Sequence, residues 1–278
     1  MTITRRLAVL VVVLTACART LAAGQQVTAP EHSVLTPEQM ETFLLKAKVT
    51  RIRDAGNGVT ASRRATLTDG TLTHDAHIQT VEIEPPVFEA GAAVVLNFKD
   101  LYRYNVAGYR LAVLLGLDNV PMSVERQVEG KTAAVTWWVD DVLMDEKERL
   151  KKKTAGPSPG RTANQLQIMR VFDELIQNKD RNQGNILWTK DWKMWLIDHT
   201  RAFRWGTTLL KPEQLSRCER GLLDHLRGLT AASLATAMGG AMNKQEIAAL
   251  LARRDLIVKV FEDKIARSSE AAVLFTLE

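Results

Sequence analysis

Three polar side chains in the second half of the chain, those of Asp180, Asn185 and Asp198, have the types and spacing that metal-dependent chemistry needs. Asp180 and Asn185 lie in one polar stretch, residues 178–185, and Asp198 ends a short apolar segment. Hard cations such as Mg²⁺ bind oxygen ligands, and a carboxylate together with an amide carbonyl supplies them. We therefore take Asn185 and Asp198 as candidate metal ligands.

Transfer of a phosphoryl group to a hydroxyl is the chemistry that fits these three groups. That reaction requires neutralised charge on a triphosphate and an attacking hydroxyl held in line. Asp198 can bridge a metal and the phosphates, Asn185 can add a neutral oxygen, and Asp180 can orient the hydroxyl or accept its proton. Any single Asp or Asn in a polar loop is more often a turn or cap residue, so the hypothesis depends on all three together.

The segments around these residues predict a rigid scaffold for them. Residues 162–177 have apolar side chains at three- to four-residue intervals, which predicts an amphipathic helix that leads into the polar stretch. Residues 186–188 and 194–197 predict two short strands that flank a turn at Asp191. Asp198 is therefore expected at the end of a strand, where its carboxylate can face a cleft.

The remaining patterns predict an α+β fold with two lobes, a strand-rich N-lobe at residues 36–140 and a helical C-lobe at 141–278. Predicted strands lie at residues 47–52, 64–68, 73–83, 120–128 and 133–139, with helices at 36–46 and 99–115. The C-lobe is predicted to begin with a charged, then Pro/Gly-rich linker at 140–160 and to continue with helices at 212–226, 231–238 and 244–266. The cleft is expected near residues 138–145.

The stretch that contains Asp180, Asn185 and Asp198 resembles the atypical kinases. It has the pattern N-x-D-x-x-x-x-N, a hairpin, and then Ile-Asp at a strand end, and it lacks the His-Arg of ordinary protein kinases. That group includes the secreted Golgi kinases of the casein-kinase and xylose-kinase group, the type II phosphatidylinositol 4-kinases and the HipA-like kinases. The resemblance covers most of residues 48–203. It implies a kinase-like two-lobe fold, ATP with Mg²⁺ or Mn²⁺ as cofactors, and a hydroxyl-bearing protein, sugar or lipid as acceptor.

Two positions depart from the kinase pattern and open an alternative. Gln79 stands where the resemblance places a phosphate-pairing Lys, and Asn105 stands where it places the partner Glu. Gln79 can still donate a hydrogen bond to phosphate, but without charge. Arg64, Lys99 or Arg103 would be a substitute cation. The alternative function is a nucleotide-binding or non-catalytic pseudokinase of the cell envelope.

Gly56 and Gly58 flank Asn57 between the first two predicted strands, where a glycine-rich phosphate loop would lie. An ordinary hairpin turn would use the same residues, and both interpretations stay open. The five histidines show no zinc-binding spacing, so a zinc site is not expected.

The N-terminus predicts export. Residues 1–23 contain two arginines followed by an apolar run that is too short to span a bilayer, which is typical of a signal peptide. The sequence Leu-Thr-Ala-Cys that ends at Cys17 resembles a bacterial lipobox, which would leave Cys17 lipidated and the protein anchored to a membrane. Cleavage after a nearby alanine would instead release a periplasmic or secreted protein. Residues 24–35 are predicted as a linker.

Composition supports a globular protein that binds no nucleic acid. The chain of 278 residues has 46% hydrophobic and 25% charged residues and a formal net charge of +5. Its longest basic run is the three lysines 151–153, which does not indicate a nucleic-acid groove, whereas a mild basic excess suits a nucleotide. The two cysteines, Cys17 and Cys218, give no disulfide framework. Cys218, within the predicted helix 212–226, is expected to be a buried structural thiol.

Overall fold

The computed structural model describes residues 35–54, 62–85, 98–179 and 181–277, together with the backbone of 87–90 and 93–96. Four residues singled out in the sequence, Cys17, Gly56, Gly58 and Asp180, lie outside the described residues. From Thr36 onward the chain forms one compact unit. Among the helices of the described part, none combines the length and the apolar character that crossing a bilayer requires.

Helices and strands alternate in the first half and helices dominate the second. The helices are α1 Pro37–Lys46, α2 Arg103–Leu114, α3 Glu146–Lys151, α4 Pro159–Ile176, α5 Arg220–Gly228, α6 Ala231–Met238, α7 Lys244–Arg267 and α8 Glu270–Val273. The strands are β1 Lys48–Asp54, β2 Arg63–Thr68, β3 Thr73–Gln79, β4 Glu82–Ile83, β5 Val87–Ala90, β6 Ala93–Leu96, β7 Asp100–Leu101, β8 Ser123–Val128, β9 Lys131–Trp137, β10 Val142–Asp145, β11 Ile186–Thr189, β12 Met194–Leu196, β13 Cys218–Glu219 and β14 Leu274–Phe275.

The strand-rich lobe is a five-stranded antiparallel sheet in the order β1-β2-β3-β9-β8. Helix α1 covers one face of this sheet, because its buried Phe43 and Leu44 pack in one cluster with Ala76 and Ile78 of β3. Successive side chains of a strand point to opposite faces. Ala76 and Ile78 face α1, so the alternate side chains of β3, which include His77, lie on the opposite face.

The helical lobe has its own larger core, to which α2 belongs. Leu111 of α2 packs in one buried cluster with Phe172 of α4, Trp188 of β11 and Phe261 of α7. Strands β10, β11 and β12 form a three-stranded sheet at the edge of this lobe. The two-lobe α+β fold predicted from the sequence is confirmed.

The prediction of a linker over residues 140–160 is wrong for its first half. Residues 142–151 form strand β10 and helix α3, and Asp145 ends the strand and caps the helix by accepting a hydrogen bond from the Glu148 N–H at 2.7 Å. Strand β10 is held by antiparallel pairing with β11, more than forty residues later in the sequence. The residues of β10 alone give no indication of a partner strand so far along the sequence.

The predicted helix over residues 212–226 is also wrong in its first part. A 3₁₀ turn at Pro212–Gln214 is followed by β13, which pairs in parallel with β14 near the C-terminus, and α5 begins only at Arg220. The side chain of Glu219 caps α5 by accepting a hydrogen bond from the Leu222 N–H at 2.6 Å. Cys218 is fully buried, and this burial raises the pKa of its thiol to about 12. The thiol is therefore buried as expected, although it lies on a strand.

Candidate active site

Asp198 follows the hairpin of β11 and β12 in a backbone conformation that few side chains adopt. Its φ of 56° lies in the left-handed region, which Asp tolerates better than most residues and which often marks a functional position. Its Oδ1 accepts a hydrogen bond from the Thr200 hydroxyl at 3.0 Å. The side chain is exposed, and no described residue binds its Oδ2. The hairpin thus presents a fixed carboxylate with one oxygen available.

Asn185 lies beside Asp198 at the open end of the hairpin. Ile186 pairs with Leu196, and the Ile197 N–H donates to the Asn185 carbonyl at 3.1 Å, which places Asn185 opposite the residue before Asp198. Its side-chain amide has no hydrogen-bond partner in the described part of the chain. A carboxylate and an amide oxygen suit Mg²⁺ or Mn²⁺. Within the described ranges no three His, Cys, Asp or Glu side chains converge on a metal position.

Arg181, which the sequence analysis did not single out, holds the polar stretch and the hairpin together. Its Nη1 donates to the Ile197 carbonyl at 2.7 Å and to the Asn185 carbonyl at 3.3 Å. Its Nε and Nη2 form a bidentate pair with Asp173 of α4, at 3.0 and 2.9 Å. Bidentate pairs of this kind fix geometry as well as adding energy. Arg181 therefore ties α4 to the open end of the hairpin.

His199 is buried between α2 and α4 and supports the turn after Asp198. Its backbone N–H donates to Oδ1 of Asn105 at 2.8 Å, and its ring meets the Phe172 ring edge-on at 5.8 Å. A Cβ at Gly108 would come 3.1 Å from the His199 ring, so the absence of a side chain there allows the close approach. Burial and the nearby Arg181 charge hold the pKa of His199 well below its ordinary value. The ring is therefore a neutral packing group.

The two predicted amides, Gln79 and Asn105, have different hydrogen-bond partners. Oδ1 of Asn105 accepts a hydrogen bond from the His199 N–H in the turn after Asp198. Oε1 of Gln79 accepts hydrogen bonds from the Thr80 and Val81 N–H groups at 2.9 and 3.1 Å. Both carbonyl oxygens are therefore used by backbone amides. The amide nitrogen of Gln79 remains as a donor, since the described residues offer it no acceptor.

The three substitute cations considered from the sequence are already engaged in ion pairs. Arg64 donates to Asp75 at 2.6 Å and lies over the Trp138 ring at 4.1 Å. Lys99 is buried and lies 2.7 Å from a glutamate carboxylate, and Arg103 lies 3.3 Å from Glu82. A role for any of them at a phosphate would require that a pair be broken.

His77 is a further polar group on the open face of the sheet, and sequence reasoning missed it. It lies on β3 between its cross-strand neighbours Arg64 and Thr136, on the face opposite α1, and one ring nitrogen is hydrogen-bonded to the Ser62 hydroxyl. Burial lowers the pKa of His77, while the negative charge of Asp198 opposes that shift, so the two side chains are within electrostatic reach.

Comparison with solved structures identifies this architecture. A Fam20 protein of hydra, solved with sugar, has a TM-score of 0.64 at 13% identity, over 86% of this chain and 92% of that chain. The Golgi casein kinase, solved with Mn/ADP bound, has a TM-score of 0.62 at 12% identity, over 85% and 78%. A second structure of the Golgi casein kinase also has a TM-score of 0.62, at 13% identity over 91% and 84%.

Sequence comparison alone finds none of this, since no protein-family model and no curated protein matches the chain. At identities of 12% to 13% the similarity lies in the fold. It extends over both lobes, because more than four fifths of this chain is covered in each case. The chain has the atypical kinase-like fold.

Proposed function

We propose that the protein is a phosphotransferase that uses ATP and a divalent metal, Mg²⁺ or Mn²⁺, to phosphorylate a hydroxyl of a protein, sugar or lipid. The observation that carries the proposal is the side-by-side placement of Asn185 and Asp198 at the open end of a hairpin in a kinase-like fold. The Golgi casein kinase of the same fold has been solved with Mn/ADP, which supports this ligand class.

Each candidate residue has a distinct role in this proposal. Asp198 and Asn185 hold the metal, which when bound neutralises charge on the triphosphate. Asp180 orients the acceptor hydroxyl and takes its proton. Gln79 donates its amide N–H to a phosphate oxygen, and Asn105 keeps the Asp198 turn in place through the His199 N–H. The proposed role of Gly56 and Gly58 is that of a glycine-rich phosphate loop.

The proposed location is outside the cytoplasm. The signal-like residues 1–23 support export, and lipidation at Cys17 would hold the protein on a membrane, whereas cleavage at a nearby alanine would leave it periplasmic or secreted. The acceptor in this proposal is therefore an exported or envelope molecule.

Thermal shift with ATP tests the proposal directly. A ligand that binds only the native state stabilises it by roughly 2.7 kcal/mol at about 100 times Kd, which corresponds to roughly 5–10 °C for a protein of this size. We expect such a shift with ATP and Mg²⁺ or Mn²⁺ and its loss in Asp198→Ala. A wild-type protein that shows no shift with any nucleotide or metal would contradict the proposal.

A pseudokinase is the second candidate, and the Gln79 and Asn105 amides favour it. Neither side chain carries the charge that a Lys–Glu pair would bring to the phosphates. ATP turnover by the purified protein separates the two functions. Metal-dependent binding without phosphate release or transfer, under conditions that saturate the site, would support the pseudokinase.

A further inference from the structure

Helix α7 begins with a buried carboxylate that is fully hydrogen-bonded. Glu246 is 1% exposed, its Oε2 accepts from the Asn243 N–H at 2.8 Å, and Oδ1 of Asn243 accepts from the Glu246 N–H at 2.9 Å. Its Oε1 accepts from the Tyr104 hydroxyl at 2.5 Å and from the Lys99 ammonium at 2.7 Å. The positive end of the helix dipole also favours a carboxylate in this first turn.

Lys99 connects this carboxylate to two other parts of the chain. Its Nζ lies 2.7 Å from Oε1 of Glu246 and 2.7 Å from Oε1 of Glu84, and it stands 4.6 Å from the centre of the Trp205 ring. Lys99 precedes α2, and Trp205 belongs to the segment that follows Asp198. A buried charge is tolerated only when it is paired in this way.

These contacts attach the start of α2 to the segment after Asp198. Tyr104 precedes Asn105, the residue whose side chain accepts the His199 N–H. The Tyr104 ring packs on the Phe203 ring at 5.3 Å, and the Leu101 N–H donates to the Thr200 carbonyl at 2.8 Å. A shift of α2 relative to α7 would therefore displace the turn that carries Asp198.

We propose that Lys99, Tyr104 and Glu246 are positioning residues that set the geometry of Asp198 for metal binding, an inference that rests on the function proposed above. They fix α2 to the helical lobe, whereas the kinase pattern that the sequence resembles uses an ion pair between α2 and β3. In this chain Gln79 and Asn105 take the two positions of that pair, and the Gln79 carbonyl accepts from its own backbone. The described hydrogen bonds of the Gln79 side chain therefore do not reach α2, although Val106 of α2 packs on Ala134 of β9.

A double substitution separates positioning from stability. Lys99→Met alone leaves the Glu246 charge buried and unpaired, so we expect a large fall in Tm. Lys99→Met combined with Glu246→Gln removes both charges, keeps the Asn243 cap, and should recover most of that Tm. In the double variant we still expect amide hydrogen exchange over residues 199–206, without ligand, to be about tenfold faster than in wild type. We also expect Kd for ATP with Mn²⁺ to be about tenfold higher.

The matched control is the exposed pair of Lys259 and Asp263, which lies further along the same helix with its charges 3.0 Å apart. Lys259→Met combined with Asp263→Asn should change neither readout. If the Lys99 and Glu246 double variant regains wild-type exchange and wild-type Kd along with its Tm, these residues only stabilise the fold and the inference is wrong. A wild-type protein that binds no nucleotide would refute the proposed function instead, and the exchange measurement would still test the positioning.

Discussion

Among the residues of the site, Asp198 has the most informative backbone conformation. A left-handed φ costs free energy for a residue with a Cβ, and it persists only where the surroundings hold it. Here the hydrogen bonds of the Thr200 hydroxyl and of the His199 N–H hold the turn. The carboxylate is therefore fixed before any ligand arrives, which favours tight metal binding.

Asp198→Asn tests the charge of this carboxylate without disturbing the turn. The amide keeps an oxygen for the Thr200 hydroxyl, so the Tm without ligand should stay within about 2 °C of wild type. We expect the metal-dependent shift with ATP to disappear, because an amide is a weaker metal ligand than a carboxylate. Differential scanning fluorimetry with and without Mn²⁺ measures both, and a retained shift would remove Asp198 from the metal site.

His77 provides a second prediction at this scale. Its imidazole lies on the open face of β3 within electrostatic reach of Asp198, and under the proposed function it donates to a phosphate of the nucleotide. Hydrogen bonds to charged groups contribute about 1.5–3 kcal/mol, so His77→Ala should raise Kd for ATP at least about tenfold. His77→Gln, which keeps a donor, should lose less. His225→Ala, at an exposed histidine on α5, serves as control in the same calorimetric titration.

Buried His199 makes stability depend on pH. Its folded pKa lies well below the ordinary value of 6.5, so the unfolded chain binds the proton first as pH falls. The resulting stability is present above about pH 6.5 and is lost below it. We expect His199→Phe, which keeps a ring against Phe172, to flatten the fall of Tm between about pH 6.5 and 5 in metal-free buffer. Parallel slopes for the two proteins would contradict this.

Residues of the site could be predicted from sequence only where their spacing carries the signal. Asn185 and Asp198 were found in this way, and the structure brings them together across the hairpin. The pairing of Arg181 with Asp173 and the approach of His77 to Asp198 depend on folding, because they join separate elements. Gly108, in the middle of α2, was the one feature of the local sequence that indicated a close approach to the helix, which the His199 ring makes.

Among the elements, the segment after Asp198 is held at many points by α4 and α7. The Phe203 N–H donates to the Ile176 carbonyl at 2.6 Å, and Glu174 accepts from the Leu210 and Lys211 N–H groups, both at 2.6 Å. Arg253 of α7 is fully buried and donates to the carbonyls of Leu175, Arg204 and Gly206. The segment is thus part of the packed helical lobe.

Arg253 is expected to be the most sensitive residue of this arrangement. Burial lowers the pKa of Arg253 to about 10, so its guanidinium stays charged at neutral pH. It donates hydrogen bonds to backbone carbonyl oxygens that have few other donors nearby. Arg253→Met should destabilise the fold by about 3 kcal/mol or more, since buried acceptors are left unpaired. Lys259→Met, on the exposed side of the same helix, should stay within about 0.5 kcal/mol. Urea unfolding followed by circular dichroism measures the difference.

Long periodic elements were predictable from sequence and short paired ones were not. Helix α4 and helix α7 have apolar repeats of sufficient length, and both lie within a few residues of their predicted bounds. Strands β10 and β13 are stabilised by partners far along the chain, so their own residues give little indication of them. The predicted strand at residues 73–83 ends early at Gln79, where its side chain turns back to accept the next two amides.

At the scale of the whole molecule, the two lobes share helix α2. The helix lies between strands in sequence, but its buried Leu111 and Ala112 belong to the core of the helical lobe. We expect the fragment 141–278 alone to fail to fold, because it would expose the surface that α2 covers. Extending the fragment to begin at residue 98 should restore cooperative unfolding, as measured by circular dichroism. Cooperative unfolding of the shorter fragment would contradict this assignment of α2.

The attachment of α2 to α7 also has a consequence for how this sequence can evolve. Because the Gln79 side chain of β3 accepts from its own backbone, substitutions there break no ion pair with that helix. Lys99 and Glu246, by contrast, form a buried ion pair, so loss of Lys99 would leave the Glu246 charge buried without its cation. In an aligned set of natural relatives, these two positions should covary, and a descendant with a lysine at position 79 could acquire faster chemistry without first rebuilding its scaffold.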